Sequence, residues 1–391
     1  MVKIILKSGK EQSLLRFHPW VFSGAIKKIE GSPAEGDLVE VFSVSNDFLA
    51  IGHYQVGSIA VRIVSFSQVD INDLFWKTKL QKAFQMRKSI GLAENPQTNV
   101  YRLVHGEGDG LPGLIIDIYN DTAVMQMHSI GMYRIREQLA KALKDIYGDQ
   151  LVAVYDKSAA TIPFKANVGA KNEYIWGESQ PAEVLEYGNK FRVDWIEGQK
   201  TGFFIDQREN RKLVEFYAKD RSVLNVFGYT GGFSVYALRG GAKLVHSVDS
   251  SEKAIELTNQ NVASNFTDTP HEAFAVDAFE YLNKIENQYD LIILDPPAFA
   301  KHQSALKNAL QAYKRINARA ISKIKPGGIL FTFSCSQVVG KEQFRQAVFS
   351  AAAIAKREVR ILHQLTQPSD HPVNIYHPEG EYLKGLVLYV E

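Results

Sequence analysis

Side chains able to do chemistry follow two short apolar segments in the second half of the chain. Asp295 ends the run YDLIILD and precedes two prolines, and Cys335, the only cysteine, follows GGILFTFS. A thiolate is a strong nucleophile, and two prolines make the backbone around a carboxylate rigid. Cys335 is therefore a candidate nucleophile and Asp295 a candidate substrate-holding group, although a lone cysteine is more often a small buried apolar residue.

A glycine-rich segment, FGYTGGF at 227–233, follows another apolar run, SVLNV. Glycines allow a sharp turn and a close approach to a ligand. The segment has neither the GxGxxG pattern of dinucleotide-binding proteins nor the Lys-Ser/Thr pair of a triphosphate-binding loop. Further on, Asp249 could hydrogen-bond the hydroxyls of a ribose, and Asp277 would lie on the same rim. Each aspartate could equally be the N-cap of the helix that follows it.

These residues follow elements of an alternating strand and helix pattern. The runs SVLNVF, KLVHSVD, EAFAV, YDLIILD and GGILFTFS are short and nearly all apolar, as expected for strands covered on both faces. Between them, helical stretches are predicted at about 232–239, 251–262, 278–285, 304–323 and 341–355. The pattern predicts a doubly wound, mostly parallel sheet, whose ligand lies beyond the carboxyl ends of the strands.

The first half of the chain has a different pattern. Short apolar bursts separated by Gly, Pro and Asn predict a small β domain at 1–68. A helix from Asp73 and strands up to about Trp176 predict a mixed α/β domain at 69–183, with GESQP at 177–181 as a linker to a third domain at 184–391. The aromatic segment RFHPWVF at 16–22 could pack in a core, contact a partner, or do both.

The helix from Asp73 combines an apolar face with a basic one. Its apolar residues at helical spacing are Leu74, Phe75, Leu80 and Phe84. Its basic residues are Lys77, Lys79, Lys82, Arg87 and Lys88. A second basic run contains Lys307, Lys314, Arg315, Arg319, Lys323 and Lys325. Each basic set is either an ordinary solvated surface or a surface that contacts phosphates.

Composition excludes several classes of protein. With 391 residues, 45% hydrophobic and 23% charged, the chain should fold into two or three domains. Lys and Arg total 45 against 43 Asp and Glu, so net charge identifies no partner. The chain has a single cysteine, and its start lacks the apolar run of a signal peptide. It also has no apolar run long enough for a bilayer. These features favour a cytoplasmic protein without a membrane partner.

In order along the chain, FGYTGGFS, VDSS, DAF, DPPAF and FSCS resemble the motifs of class I methyltransferases, as found in bacterial ribosomal RNA 5-methylcytosine methyltransferases with an N-terminal PUA domain. RFHPWVFSGAI is similar to the PUA region of that family, YRLVHGEGDGLPGLIIDIY to its central domain, and GQKTGFFIDQRENR to the segment that leads into its catalytic domain. The resemblance implies a multidomain α/β protein with a β-barrel-like PUA domain, a mixed α/β domain and a Rossmann-like catalytic domain with a seven-stranded sheet.

The resemblance implies S-adenosylmethionine as cofactor. Its methionine part would be lined by Phe227, Gly228, Tyr229 and Gly231. Asp249 would bind the ribose and Asp277 the adenine. The other residues expected at the cofactor are Thr230, Ser250, Ala278 and Phe279, while Gln207 and Arg208 would close over the cofactor or the base.

The implied reaction is methylation of carbon 5 of a cytosine in ribosomal RNA. The Cys335 thiolate would add to carbon 6, carbon 5 would attack the methyl group, and loss of the carbon 5 proton would expel the enzyme. Asp295 would hold the ring near its exocyclic amine. The residues expected to contact the base are Pro296, Pro297 and Phe299. Some related enzymes have a second cysteine where this chain has Ala298, so the base that removes the proton is unidentified.

Two alternatives remain open at the level of sequence. An exocyclic-amino methyltransferase would act without a covalent adduct, but such enzymes usually have an aromatic residue directly after the two prolines, where this chain has Ala298. A catalytically inactive RNA-binding or ribosome-assembly protein would have had no reason to retain its polar rim residues together. Those residues are Asp249, Asp277, Asp295 and Cys335.

The expected partners are RNA, contacted in part by Lys79, Lys82 and Arg87, and a second copy of the chain in a homodimer. No metal is expected, because the histidines lack ligand spacing. The histidines considered are His18, His105, His371 and His377. The segment 369–386 resembles the last loop of the family, which would border the active site.

Overall fold

The computed structural model describes residues 1–163 and 169–391, and these divide into two compact units. The first unit comprises Met1–Leu185, Val193–Ile205 and Ser369–Gly380. The second comprises Glu186–Arg192, Asp206–Pro368 and Glu381–Glu391. The short segment near the C-terminus that was expected in the third domain therefore belongs to the first unit. The three predicted domain boundaries stay predictions, although each predicted domain contains a sheet of its own.

The first unit begins with a six-stranded sheet, as the apolar bursts predict. Its elements are β1 (Val2–Leu6), α1 (Gln12–Leu15), β2 (Trp20–Phe22), β3 (Ile26–Glu30), β4 (Leu38–Phe42), β5 (Phe48–Tyr54) and β6 (Ile59–Ser65). The strand order is β2-β6-β5-β4-β1-β3, and only β1 and β4 pair in parallel. The core of this sheet contains Ile4, Val39, Val41 and Val61. Ile4 and Val39 alternate with more exposed residues along β1 and β4.

The aromatic segment at 16–22 is partly buried and partly exposed, and its contact with a partner stays a prediction. Val21 is buried in the core, whereas Phe17 and Phe22 are 48% and 46% exposed. The Phe17 ring lies 5.3 Å from that of Phe66. The segment therefore packs on one side and leaves aromatic surface on the other.

The first unit also contains a five-stranded sheet with its own helices. Its elements are α2 (Asp73–Ser89), β7 (Val100–His105), β8 (Leu114–Tyr119), β9 (Thr122–Met127), α3 (Ile130–Arg134), α4 (Arg136–Tyr147), β10 (Ala153–Asp156) and β11 (Glu173–Trp176). The strand order is β11-β10-β9-β8-β7. Helices α3 and α4 are separate, because the chain leaves helical geometry at Ile135, with φ −102° and ψ 13°.

Helix α2 buries Trp76, Leu80 and Phe84 against this sheet. Its start is capped by Asn72, whose side chain accepts a hydrogen bond from the amide of Phe75. Leu74, expected on the apolar face, is 71% exposed instead. The apolar stripe is thus rotated toward Trp76 and Ala83, which the pattern did not single out.

A two-stranded sheet of β12 (Ala182–Glu186) and β13 (Asn189–Val193) follows. Neither strand was predicted from the sequence. Their runs AEVLE and NKFRV mix charged and apolar residues and are only five residues long. Such short alternating runs carry a weak strand signal.

The second unit is built on the predicted doubly wound sheet. Its elements are α5 (Arg208–Tyr217), β14 (Ser222–Val226), α6 (Gly232–Arg239), β15 (Leu244–Asp249), α7 (Glu252–Asn265), β16 (His271–Ala275), α8 (Ala278–Lys284), β17 (Leu291–Leu294), α9 (Leu306–Lys323), β18 (Gly328–Ser334), α10 (Lys341–Ala355), β19 (Val359–Leu365) and β20 (Lys384–Val390).

The strand order of this sheet is β16-β15-β14-β17-β18-β20-β19, and β20 alone runs antiparallel to its neighbours. Strands β14, β17 and β18 are buried along their whole length, which explains their mostly apolar sequences. The chain winds outward from β14 to β16 and then returns to β17 beside β14. The crevice for a ligand is therefore expected where β14 and β17 end.

Among the described residues, no helix combines the length and the apolar character that crossing a membrane requires.

Candidate active site

The glycine-rich loop after β14 lies at the position where the strand order reverses. Phe227 and Tyr229 adopt left-handed backbone geometry, with φ of 62° and 46°, and Gly231 has φ of 75°. Non-glycine residues in this region store strain of about 1–3 kcal/mol each and are concentrated at ligand sites. The loop is therefore held in a conformation that its own sequence does not favour.

Side chains of α7 hold this loop in place. The Thr258 hydroxyl donates to the carbonyl of Tyr229 at 2.9 Å, and the Asn261 amide donates to the carbonyl of Thr230 at 2.7 Å. The amide of Gly228 donates to the carbonyl of Val248 at 3.0 Å. Two successive carbonyls are thus fixed by one helix, so the loop presents a defined shape on its other side.

Gly231 is the residue of this loop where a side chain is least tolerated. A Cβ atom added there would lie 2.7 Å from Cγ2 of Thr258, and its φ already favours glycine. At Gly228 the nearest atom to an added Cβ is Nδ2 of Asn225, at 3.3 Å. The close approach of loop and helix at Gly231 explains why a glycine stands there.

Asp249, the last residue of β15, connects the loop to the start of α7. Its Oδ2 accepts a hydrogen bond from the amide of Tyr229, and its Oδ1 accepts one from the amide of Ser251, both at 3.0 Å. The N-cap of α7 is Ser251, not Asp249, because the Ser251 hydroxyl accepts from the amide of Ala254. The adjacent Ser250 is exposed. The carboxylate therefore sits on the rim of the crevice, partly open to solvent.

Asp277 is the N-cap of α8, one of its two expected roles. Its Oδ1 accepts hydrogen bonds from the amides of Phe279 and Glu280 at 2.9 and 3.0 Å. Ala278 is buried, and the Phe279 ring lies partly exposed beneath the guanidinium of Arg315, 6.0 Å from the ring centre. Capping and ligand binding are compatible, since the carboxylate remains exposed.

Asp295 and Cys335 follow two neighbouring parallel strands. In the register of β17 and β18, Leu294 pairs with Thr332. Asp295 and Cys335, which follow these two residues, therefore lie at the same edge of the sheet. The Ser336 hydroxyl donates to the carbonyl of Ala300 at 2.6 Å and so ties the loop after Cys335 to the loop after Asp295. Both residues are partly buried.

The residues after Asp295 differ in exposure. Pro296 is buried and Pro297 is exposed. The ring of Phe299 packs against that of Tyr313, with centroids 4.7 Å apart. An aromatic surface therefore lies close to the two candidate catalytic side chains.

Tyr313 of α9 was not singled out by sequence and belongs to this site. Burial raises the pKa of its phenol to about 12, and the charges of Cys335 and Asp295 act in the same direction, while the hydrogen bond from Ser334 opposes the shift. Both candidate residues thus lie within electrostatic range of one neutral phenol. A tyrosine on the apolar face of an amphipathic helix is usually a core residue, so the sequence carried no sign that Tyr313 belongs to the site.

Gln207 and Arg208 lie in a buried cluster at the start of α5. Gln207 accepts a hydrogen bond from the Asn210 amide at 2.6 Å. Arg208 is fully buried, with its Nε 3.6 Å from Oε2 of Glu186, which also binds Arg211 at 2.6 Å. These contacts brace the start of the helix, and the expected closure of Gln207 and Arg208 over a cofactor stays a prediction.

The basic face of α2 is smaller than its sequence suggests. Arg87 is fully buried and pairs with Asp109, so its expected place on an RNA-contacting surface is wrong. Lys79 is partly buried, and its Nζ donates to the carbonyl of Gly110 at 3.3 Å. Lys77 and Lys88 pair with acids. Lys82 is the exposed lysine for which the structure gives no acidic partner.

One group of possible metal ligands occurs among the described residues, in the first unit. It consists of His18, His377 and Glu379, whose ligand atoms lie within 4.8 Å of one another. A tetrahedral zinc site with bonds of about 2.0–2.1 Å needs ligand atoms roughly 3.4 Å apart. In addition, the amide of Trp20 donates to Nδ1 of His18, which leaves the proton of the neutral ring on the nitrogen that faces Glu379. The expected lack of a metal stays a prediction.

Comparison with known proteins identifies two family models in the chain. Residues 135–375 match the S-adenosylmethionine-dependent methyltransferase model, and residues 4–66 match that of a PUA-like domain. The second match coincides with the six-stranded sheet. The first includes the glycine-rich loop, Asp249, Asp295 and Cys335.

Similar proteins cover the complete chain. Ribosomal RNA large subunit methyltransferase I of Tolumonas auensis is 42% identical, with 98% of each chain covered. The enzyme of the same name from Enterobacter sp. strain 638 is 40% identical over 100% of this chain and 99% of its own. A solved structure assigned as a methyltransferase in complex with SAH is 25% identical, with a TM-score of 0.86 and complete coverage of both chains.

The strand order, the loop geometry and these matches over the full length agree with one another. The protein therefore belongs to the family of ribosomal RNA large subunit methyltransferase I, the S-adenosylmethionine-dependent methyltransferases with a PUA-like domain.

Proposed function

We propose that this methyltransferase modifies carbon 5 of a cytosine in ribosomal RNA, with Cys335 as the covalent nucleophile. The observation that carries the proposal is the position of Cys335 beside Asp295, at the ends of two adjacent parallel strands whose following loops are joined by Ser336. The names of the relatives support ribosomal RNA as the substrate class.

The residues present fit S-adenosylmethionine. The loop at 227–231 turns sharply, with left-handed geometry at Phe227, Tyr229 and Gly231, and Thr258 and Asn261 of α7 fix its backbone in that shape. Its positions 227–231 would hold the methionine part, Asp249 and Ser250 the ribose, and Asp277, Ala278 and Phe279 the adenine. When bound, the cofactor supplies an electrophilic methyl group.

Carbon 5 of cytosine is a weak nucleophile and needs temporary activation. The Cys335 thiolate adds to carbon 6 and forms a carbon–sulfur bond, which makes carbon 5 nucleophilic enough to accept the methyl group. Loss of the carbon 5 proton to a base then restores the ring double bond and expels the thiolate. Asp295 holds the ring near its exocyclic amine during addition. Pro297 and the partly exposed Phe299 form the surface beside the base, and the buried Pro296 keeps the backbone after Asp295 rigid.

Transfer of labelled methyl groups to ribosomal RNA tests the role of Cys335. Cys335→Ala should lose methyl transfer but keep S-adenosylmethionine binding by calorimetry, and Gln337→Ala, an exposed change two residues away, should keep both. Wild-type protein should form a stable adduct with RNA that contains 5-fluorocytosine. Full methyl transfer by Cys335→Ala would exclude the covalent route.

Nucleoside analysis of the modified RNA identifies the product. We expect 5-methylcytosine; a methylated exocyclic amine would instead place the protein among the amino methyltransferases. Failure of the purified protein to bind S-adenosylmethionine would favour a non-enzymatic role in ribosome assembly. Mapping 5-methylcytosine across ribosomal RNA from a strain without this protein would locate the target.

The proposal has three further parts. Lys79 and Lys82 contact the RNA, the protein is cytoplasmic, and it forms a homodimer. The partly exposed Lys79 and the exposed Lys82 share one helix, so they could reach phosphates together. Sedimentation of the purified protein would test the dimer.

A further inference from the structure

Lys384 is a buried lysine next to the candidate nucleophile. It is the first residue of β20 and pairs with Ser334 in the antiparallel register with β18, one residue before Cys335. Lys384 is 6% exposed, and its Nζ donates to the carbonyls of Ser336 and Val339, both at 2.6 Å. The ammonium therefore fixes both ends of the turn that follows Cys335.

The charge of Lys384 is coupled to that of Cys335. Burial lowers the pKa of Lys384 to about 8, and the negative charges of Cys335 and Glu381 oppose this shift, while Lys341 adds to it. Electrostatic coupling is mutual, so an ammonium that is stabilised by a thiolate stabilises that thiolate to the same extent. Tyr313 and Asp295 also belong to these surroundings, since the charges of Cys335 and Asp295 both act on the Tyr313 phenol.

We propose that Lys384 is a positioning residue for Cys335: its ammonium holds the turn at 336–339 and favours the thiolate form of the nucleophile. Only the catalytic purpose of the thiolate rests on the proposed function; the effect of Lys384 on the ionisation of Cys335 does not. A carboxylate at Asp295 would disfavour a second negative charge nearby, and Lys384 offsets that effect. A purely structural lysine would fix the turn but leave the ionisation of the thiol unchanged.

Alkylation of the single cysteine measures this ionisation directly, because only Cys335 can react. The rate of reaction with iodoacetamide is followed against pH in wild type and variants. The quantity compared between wild type and each variant is the midpoint of this pH dependence. Lys384→Met should raise the midpoint by about one pH unit or more. Lys341→Met removes an exposed lysine from the same surroundings and should not raise it.

A midpoint for Lys384→Met within about 0.3 pH unit of the wild-type value would overturn the proposal. If that variant does not fold, Lys384→Gln, whose neutral amide can still donate to the carbonyls of Ser336 and Val339, makes the same comparison under the same criterion. The alkaline shift should recur in the pH profile of kcat, with KM for S-adenosylmethionine unchanged. If Cys335→Ala still methylates RNA, the proposed function fails, but the alkylation midpoints continue to report on Lys384.

Discussion

The hydroxyl of Ser334 donates a 2.9 Å hydrogen bond to the phenolic oxygen of Tyr313, and both side chains are fully buried. Ser334 ends β18 and Tyr313 lies in the middle of α9, so the bond joins the strand that carries Cys335 to the helix that packs on it. The position of the candidate nucleophile thus depends on a polar contact in the interior of the protein.

Tyr313→Phe should destabilise the protein by about 1–3 kcal/mol, because it leaves the buried Ser334 hydroxyl without this partner. Urea denaturation measures the change in the free energy of unfolding. A double-mutant cycle with Ser334→Ala isolates the pair. Additive effects of the two changes would show that the bond contributes nothing.

Gly231→Ala should lower the affinity for S-adenosylmethionine at least about tenfold, because the new Cβ would meet Thr258 and the left-handed backbone would be strained. Calorimetry measures the affinity. Gly241→Ala is the matched control, since its φ is +83° but the nearest atom to an added Cβ is 3.9 Å away. Normal binding by Gly231→Ala, or an equal loss in both variants, would contradict a role of the loop in cofactor binding.

Arg87→Ala should destabilise the first unit by about 3–5 kcal/mol, because it leaves the nearly buried carboxylate of Asp109 without its ion pair. Thermal unfolding followed by circular dichroism measures this loss. Lys82→Ala, on the exposed face of the same helix, should change stability by less than about 0.5 kcal/mol. Equal stability of the two variants would refute the structural role of Arg87.

Lys82→Ala should instead weaken RNA binding and reduce the slope of log affinity against log salt by about one. Filter binding at several salt concentrations measures the slope. An unchanged slope would remove Lys82 from the RNA-contacting surface.

Protein stability should fall with acid partly because of His53. Burial, followed by the charges of Arg134 and Arg62, lowers the pKa of this imidazole to about 4. The unfolded chain takes up the proton first, near pH 6.5, so the stabilising contribution is complete above that pH and is lost as pH falls toward 4. The loss is at most about 1.4 kcal/mol for each pH unit.

His53→Asn should therefore flatten the fall of unfolding free energy between pH 6.5 and 4, whereas His302→Asn, an exposed change, should not. Urea denaturation at several pH values makes the comparison. An unaltered pH dependence in His53→Asn would show that this histidine does not contribute.

Much of the second unit was predictable because its central strands are short, mostly apolar runs, which must be buried in the interior. Once β14, β15, β17 and β18 are assigned as parallel, the residues after them must share one edge of the sheet, which placed Asp249, Asp295 and Cys335 correctly relative to the strands. Edge strand β19 was harder to locate, since most of its residues are exposed.

The sequence could not show which basic residues of one helix are exposed and which are buried in ion pairs. Lys82 and Arg87 look alike as basic positions on one helix, yet one is exposed and the other is buried. The difference is made by Asp109 and by the carbonyl of Asp370, which accepts from Nη2 of Arg87 at 2.8 Å. Partners so distant in sequence leave no local pattern.

The contact between Arg87 and the carbonyl of Asp370 also limits how early the first unit can complete its folding during synthesis. Arg87 and Asp370 are separated by 283 residues, which at 5–20 residues per second corresponds to roughly 15–60 s of synthesis. During that interval the guanidinium already exists but its final acceptor does not. The first unit thus cannot reach its finished form when its own early sequence emerges; it must wait for Ser369–Gly380, made almost at the end of translation.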